Sequence, residues 1–194
     1  MTGRPKIYDD HDVLRKAQRV FWEKGYTATS TDELLAAMGI GRGSFYLAFE
    51  GGKKELFEKA IKQFHRESFE KFERSVNESD KPLEQIKEFF WRITRADLNT
   101  HQRGCFIGNT VMEMALMDQY LENEAVLILK KTEALFVATI KKAQQNGQLI
   151  NKTDAEMLGM HLITLWNGLN ITRRMHPDND KLTQLIEMQL QILI

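Results

Sequence analysis

Apolar residues recur along this chain at intervals of three and four, the period of helices with one buried face. Residues 29–49 read as two short helices joined by a tight glycine-containing turn. One long helix follows over 53–77, with Leu56, Ala60, Phe64, Phe69 and Phe72 as its apolar stripe. Ser79, Asp80 and Lys81 break the pattern, and Pro82 suits the first turn of the next helix. That helix runs to about 98 through Leu83, Ile86, Phe89, Phe90 and Ile93. Residues 99–104 are polar and read as a loop, and a further helix covers 105–116. Asn123 is a candidate cap for a helix that reaches Asn146 and stops at Gly147. Thr153 or Asp154 starts another, which ends before Pro177, and the last spans about 180–194. With three prolines and these long periods the chain is expected to be all-α, in about nine helices.

The 29–49 segment carries the most specific pattern. Ser30 with Glu33 three residues later makes a capping box. Leu34, Leu35 and Met38 fall on one face, Gly39 suits the left-handed end of a helix, and Ile40 plugs the turn. In the second helix Phe45 and Phe49 lie one turn apart and face inward. Arg42, Gly43, Ser44, Tyr46 and Leu47 then face outward. This is the outline of a helix-turn-helix, whose second helix enters the DNA major groove. Arg42 stands where base edges are read, and its fork matches guanine O6 and N7. Gly43 permits close backbone approach, Ser44, Tyr46, Thr29 and Thr31 offer hydroxyls to phosphates, and Lys53 adds a charge. The alternative for the same pattern is an ordinary helical hairpin.

Charge changes the picture. The chain has 27 basic and 27 acidic residues, a net charge of zero, whereas dedicated nucleic-acid binders carry a basic surplus. Placement matters more than the sum. Arg4 and Lys6 lie in a tail able to reach a groove, and Asp9, Asp10 and Asp12 suit the positive end of the first helix. A small basic face and modest affinity per copy are expected, so two copies would be needed. The last two helices supply a means. Met160, Leu162, Ile163, Leu165, Trp166 and Leu169 make one apolar surface, and Leu182, Leu185, Ile186, Met188, Leu190, Ile192, Leu193 and Ile194 another. A four-helix contact between two subunits is expected there, with Leu162, Leu165, Leu169, Leu185, Met188 and Ile192 in the interface. The alternative is a purely intrachain core. With 42% hydrophobic residues, 28% charged, one cysteine, no membrane-length apolar run and no signal peptide, a cytoplasmic protein is expected.

Gly25-Tyr26-Thr27-Ala28-Thr29-Ser30, Ala37-Met38-Gly39-Ile40, Ser44-Phe45-Tyr46, Phe49, Lys53 and Leu56-Phe57 resemble the TetR/AcrR family of transcriptional repressors. Ala17, Phe21 and Gly25 match that family's first helix. The resemblance is specific over about the first 60 residues. It implies a three-helix DNA-binding domain at 1–52 and a larger helical ligand-binding and dimerisation domain at 53–194. It also implies a homodimer on a palindromic double-stranded operator, released by a small-molecule effector. By motif position it implies that Thr31, Arg42, Gly43, Ser44, Tyr46 and Lys53 contact DNA. The Gly51-Gly52 connection is one residue longer than usual in the family, which leaves Lys53 and Lys54 both open as the phosphate contact.

A second segment, Arg103-Gly104-Cys105-Phe106-Ile107-Gly108-Asn109-Thr110 followed by Glu113, resembles a subgroup of the family. Some of its members sense electrophiles or oxidants through that cysteine. Cys105 would lie in a helix's first turn, where the dipole favours thiolate, with Arg103 and His101 adding positive potential. The alternative is a buried, inert thiol. Trp91, Asn109, Met112, Phe136, His161 and Trp166 are candidates to line a ligand cavity with Cys105, or else to be ordinary core. The histidines show no metal-ligand spacing, so neither metal nor cofactor is expected. The function expected is a dimeric DNA-binding repressor, released by a ligand or by modification of Cys105. The alternatives are a helical ligand-binding protein without DNA function, or an enzyme using Cys105 as nucleophile with His101 as its only nearby base.

Overall fold

The computed structural model describes residues 9–194. Arg4 and Lys6, expected to reach toward DNA, lie outside the described residues. Those residues form ten α-helices and two 3-10 turns, with no strand among them. α1 (Asp10–Lys24) is capped by the Asp9 carboxylate, which accepts from the backbone N–H groups of His11 and Asp12. Its apolar stripe of Val13, Ala17 and Phe21 is buried. α2 (Thr31–Met38) opens on the capping box of Ser30 and Glu33 and ends on Gly39 at φ 71°. α3 (Arg42–Ala48) buries Phe45 and shows most of its remaining surface to solvent. α4 (Gly52–Asn77) is a single rod of 26 residues, about 39 Å at 1.5 Å per residue.

Beyond α4, the expected helix over 82–98 divides. α5 (Pro82–Trp91) opens on Pro82 and gives way to a 3-10 turn at Arg92–Arg95. The chain then extends at Ala96, and the Asp97 carboxylate accepts from the Thr100 N–H. That cap starts α6 (Leu98–Arg103), a helix in the stretch expected to be a loop. Its polar residues concealed the period, although His101 is buried. α7 (Phe106–Met114) follows, with Cys105 as its N-cap. α8 (Gln119–Gln145) is capped by Asp118 rather than Asn123, because Leu121 and Ala125 carry its buried face one turn further back. α9 (Ala155–Met175) is capped by Asp154, and α10 (Asn179–Gln189) by Asp178. The 3-10 turn Leu190–Leu193 closes α10 and buries Leu190 and Leu193.

Two clusters of buried side chains organise these helices. One joins α1, α2, α3 and the first half of α4 to Phe106, Ile107 and Met114 of α7 and to Leu121, Ala125 and Ile128 of α8. The other joins the end of α4 to α5, the second half of α8, α9 and α10. The N-terminal helices and α7 therefore share one core. At the α8–α9 crossing Gly159 lies against Val137, with no space for a side chain. The small residue there lets two long helices approach closely.

Candidate nucleic-acid interface and effector cavity

The outward face of α3 carries the residues expected there. Arg42, Gly43, Ser44, Tyr46 and Leu47 are all exposed, whereas Phe45 and Phe49 are buried. Leu47 is 84% exposed, so nothing within the described residues covers this face. Tyr46 packs edge-on against Phe45 and remains about half exposed. Arg42 pairs with Asp32 of α2 across the turn. Both side chains are largely exposed, so the pair is weak and open to exchange with a phosphate or base. Thr31 is half-buried at the start of α2.

Two of the expected DNA contacts are corrected. Thr29 is buried, and its hydroxyl donates to the Gly25 carbonyl at 2.6 Å. Lys53 directs its ammonium at the carbonyls of Tyr26 (2.9 Å) and Thr29 (2.8 Å), over the Tyr26 ring. Both residues therefore hold the loop between α1 and α2, and neither presents a free group at the surface. The physical reason is local: the turn after Gly25 leaves carbonyls without helical partners, and these two side chains satisfy them. Lys54 is exposed but pairs with Asp118. Lys24 pairs with Glu33, which also accepts from Ser30, and these partners hold the Glu33 carboxyl down at about 2.

Glu113 of α7 was noted only as part of the cysteine segment, and its partners lie in the N-terminal helices. Its carboxylate accepts from the backbone N–H groups of Tyr26 (2.9 Å) and Thr27 (2.8 Å). Gly25, at φ 84°, lets the carboxylate approach, since a Cβ there would stand 3.0 Å from its Oε2. Sequence spacing offers no signal for a bond across 87 residues.

α7 has a cavity at its other end. A space of about 410 Å³ lies between α1, α4, α5, α7, α8 and α9. This volume is at the small end of the range for ligand sites. Trp22, Phe64, Phe69, Phe72, Phe89, Phe106 and Trp166 give it aromatic walls. Cys105, Asn170 and Arg173 meet at one corner. Burial pushes the Cys105 thiol up, against the opposing effect of the Gly108 N–H, Trp166 and Arg173. The thiolate expected from the helix dipole is therefore not favoured. His101 is turned away and bonds Asn179 through Nε2, while Arg103 lies over the Trp22 ring. His65, also on the wall, is pushed down by burial and by Lys131.

Of the residues expected to line the cavity, Cys105 and Trp166 do so. Phe136 is fully buried in the core beneath, against Phe72, Phe89 and Phe90. Trp91 packs on the outside of that core. Met112 is 78% exposed on the far side of α7. Asn109 donates to the Arg103 carbonyl at 2.8 Å and ties α7 back to α6. His161 lies a full turn and more before Trp166 on α9 and is outside the lining. These five are corrected; 100° per residue separates faces that sequence proximity places together.

The expected subunit-contact residues also divide. Leu162 and Leu169 are buried in the intrachain core. Leu165, Leu185 and Ile192 are half-buried against it, and Met188 is 61% exposed. The exposed apolar stripe of α9 is instead Met157, Met160, Ile171 and Met175, with Gly168 uncovered between them. Beyond Met188, the outer face of α10 carries Lys181, Gln184 and Glu187, so this helix is not apolar on both sides. No group of three or more His, Cys, Asp or Glu among the described residues is arranged to hold a metal, and no described helix is long and apolar enough to cross a membrane.

An exposed reading helix, seated on a helical body that encloses an aromatic cavity, defines the class of helix-turn-helix transcriptional regulators. Residues 13–60 match the family described as bacterial regulatory proteins, tetR family, and residues 82–188 match the tetracyclin repressor-like C-terminal domain. The chain belongs to the TetR family, a family of transcriptional regulators rather than enzymes. It is 24% identical over 187 residues to the HTH-type transcriptional repressor DhaR of Mycobacterium sp. (strain GP1), covering 94% of this chain and 90% of that one. It is 26% identical over 196 residues to the repressor ComR of Escherichia coli (strain K12), covering 98% and 91%. Among solved structures, a cysteine mutant of the TetR-family regulator CifR, complexed with 26 bp double-strand operator DNA, superposes with a TM-score of 0.81 at 24% identity. That match covers 97% of this chain and 98% of the other, and it shows the shared fold.

Proposed function

We propose that this regulator is a homodimeric repressor that binds a palindromic operator through α2 and α3 and is released by a small molecule in the aromatic cavity. Residues 1–52 serve as the DNA-binding domain and 53–194 as the effector and dimer domain. The observation that carries the DNA reading is the α3 face: Arg42, Gly43, Ser44 and Tyr46 are exposed with Leu47, and none belongs to the core. Arg42 exchanges Asp32 for a base edge, and the hydroxyls of Ser44, Tyr46 and Thr31 bond phosphates. Two relatives are named as repressors, and CifR was solved on operator DNA, which supports the same reading here.

The dimer reading rests on the α9 stripe. Met157 and Met160 near one end of α9, and Ile171 and Met175 near the other, are each more than half exposed along one face, with Thr164 and Gly168 between them. Exposed large apolar side chains on such a helix face support a subunit contact. α7 supplies the link from effector to DNA. It spans about 13 Å, with Cys105 on the cavity wall at its start and Glu113 holding the Tyr26–Thr27 loop near its end. A ligand that displaces Cys105 and Phe106 shifts α7, and Glu113 transmits the shift to the helix-turn-helix. Non-covalent occupancy is favoured over thiol modification because burial pushes the Cys105 thiol up, away from the reactive thiolate.

Fluorescence anisotropy with DNA from upstream of its own gene, titrated at two salt concentrations, tests the reading. Specific, salt-dependent binding is expected, and Arg42→Ala should weaken it by about 1–3 kcal/mol with relaxed preference at one base pair. Sedimentation of the wild type should give a dimer, and Ile171→Asp a monomer. No specific binding at any neighbouring promoter refutes the repressor reading.

A further inference from the structure

The aromatic cavity has one polar corner, and two side chains there each keep one polar atom without a partner. Asn170 is 6% exposed and Arg173 4% exposed. The Asn170 amide nitrogen donates to the Trp166 carbonyl at 2.8 Å, and Arg173 Nη2 donates to the carbonyls of Thr100 and Gly104. Asn170 Oδ1 and Arg173 Nε remain buried with no hydrogen-bond partner. Both residues line the cavity. Residues 166, 170 and 173 fall on one face of α9, and that face carries all three into the cavity lining.

The charge at that corner is also unbalanced. No carboxylate among the described residues forms an ion pair with Arg173, and the other cations that act on it are Arg103 and Arg174. Elsewhere on the wall Lys71 and Arg92 stand against the single carboxylate of Glu67, itself paired with His11. A buried guanidinium with neither counter-charge nor full hydrogen bonding is costly, and a bound anion removes both deficits. The remaining walls are aromatic and match a flat apolar body.

We propose that the cavity binds a small aromatic monocarboxylate, its ring between Trp166 and Phe106 and its carboxylate accepting from Arg173 Nε. The assignment rests on the reading of this cavity as the effector site and names the chemistry that site selects. Arg173 then distinguishes an acid from its neutral analogue. The Arg173 bonds to Thr100 and Gly104 carry occupancy of the corner to the α6–α7 junction beside Cys105.

Calorimetric titration of the full chain with benzoate, phenylacetate and trans-cinnamate, each against its own amide, tests this. At least one acid should bind about tenfold or more tighter than its amide, the range for one charge-assisted bond. Arg173→Met should bring that acid to the affinity of the amide, and Arg173→Lys should restore part of the difference. The proposal is overturned if acid and amide bind equally, if no acid binds below about 5 mM, or if a folded Arg173→Met retains the preference. Should Arg173→Met not fold, the acid–amide comparison on the wild type decides alone. The titrations contain no DNA, so a failure of operator binding leaves them standing. An acid that binds without lowering operator affinity refutes the effector reading and keeps the site.

Discussion

Replacing Glu113 by alanine removes two hydrogen bonds that cross from α7 to the loop between α1 and α2. The carboxylate accepts from the Tyr26 and Thr27 amides at 2.9 and 2.8 Å. Bonds to a charged group contribute about 1.5–3 kcal/mol each. Thr27 is exposed and Tyr26 only half-buried, so both freed amides can take water, and the lower part of the range applies. The expected loss is about 3 kcal/mol in total, or about 6–12 °C in Tm for a chain of this size. The functional effect should exceed the stability effect. With the link cut, an effector that weakens operator binding in the wild type should change it little in the variant, while effector-free DNA affinity stays within about threefold. Glu113→Gln, which keeps an acceptor without the charge, should fall between. Gly25→Ala should behave like Glu113→Ala, because a Cβ there meets the carboxylate and the φ of 84° is strained for alanine. Differential scanning calorimetry and anisotropy with and without effector make the measurements. Unchanged Tm together with full effector response in Glu113→Ala would refute the role given to this bond.

Three further outcomes are expected. Gly159→Ala should lower Tm and cost about 1–3 kcal/mol, because the new methyl meets Val137 at the α8–α9 crossing and one helix must move; an unchanged Tm would show that the crossing has slack. Cys105→Ser should keep operator binding and effector response, since serine is a better N-cap than cysteine and can accept from the Gly108 N–H as the thiol does; loss of response after mild electrophile treatment would point instead to covalent sensing. Glu33 has a folded pKa held down at about 2 by Lys24 and Ser30, below its ordinary 4.5. Its contribution is therefore complete above about 4.5 and lost as pH falls toward 2, so a Glu33→Gln variant should lose less stability than wild type across that window, read by denaturant midpoints at each pH.

The helix-turn-helix was legible residue by residue because its signals are local. The Ser30–Glu33 capping box, Gly39 at φ 71° and the inward Phe45 and Phe49 depend on residues no more than about a turn away. The helix over 82–98 was less legible, because the polar run after Ala96 hides an Asp97 cap that restarts the chain. The cavity was least legible. Trp166 and Cys105 were anticipated, but Arg173 appears in sequence as an ordinary basic residue near a helix end, and only its burial beside Asn170 and Cys105 singles it out. The exposed face of α9 was also hidden: Leu162 and Leu169 are buried within the chain and Met160, Ile171 and Met175 are the exposed apolar residues, because α9 is apolar on two sides and hydropathy alone does not say which side the chain itself covers.

What the sequence determined by itself was the all-α architecture, the reading helix with its exposed Arg42, Ser44 and Tyr46, and the family to which they belong. Each follows from periods and caps within a few residues. What only the tertiary structure decided was where side chains from distant segments converge. It turned Thr29 and Lys53 inward to satisfy stray carbonyls, joined Glu113 to the loop after Gly25, and left Arg173 buried in an aromatic cavity without a counter-charge. The Lys53 and Glu113 contacts join groups 24 to 87 residues apart in sequence, and no local pattern encodes which distant group arrives.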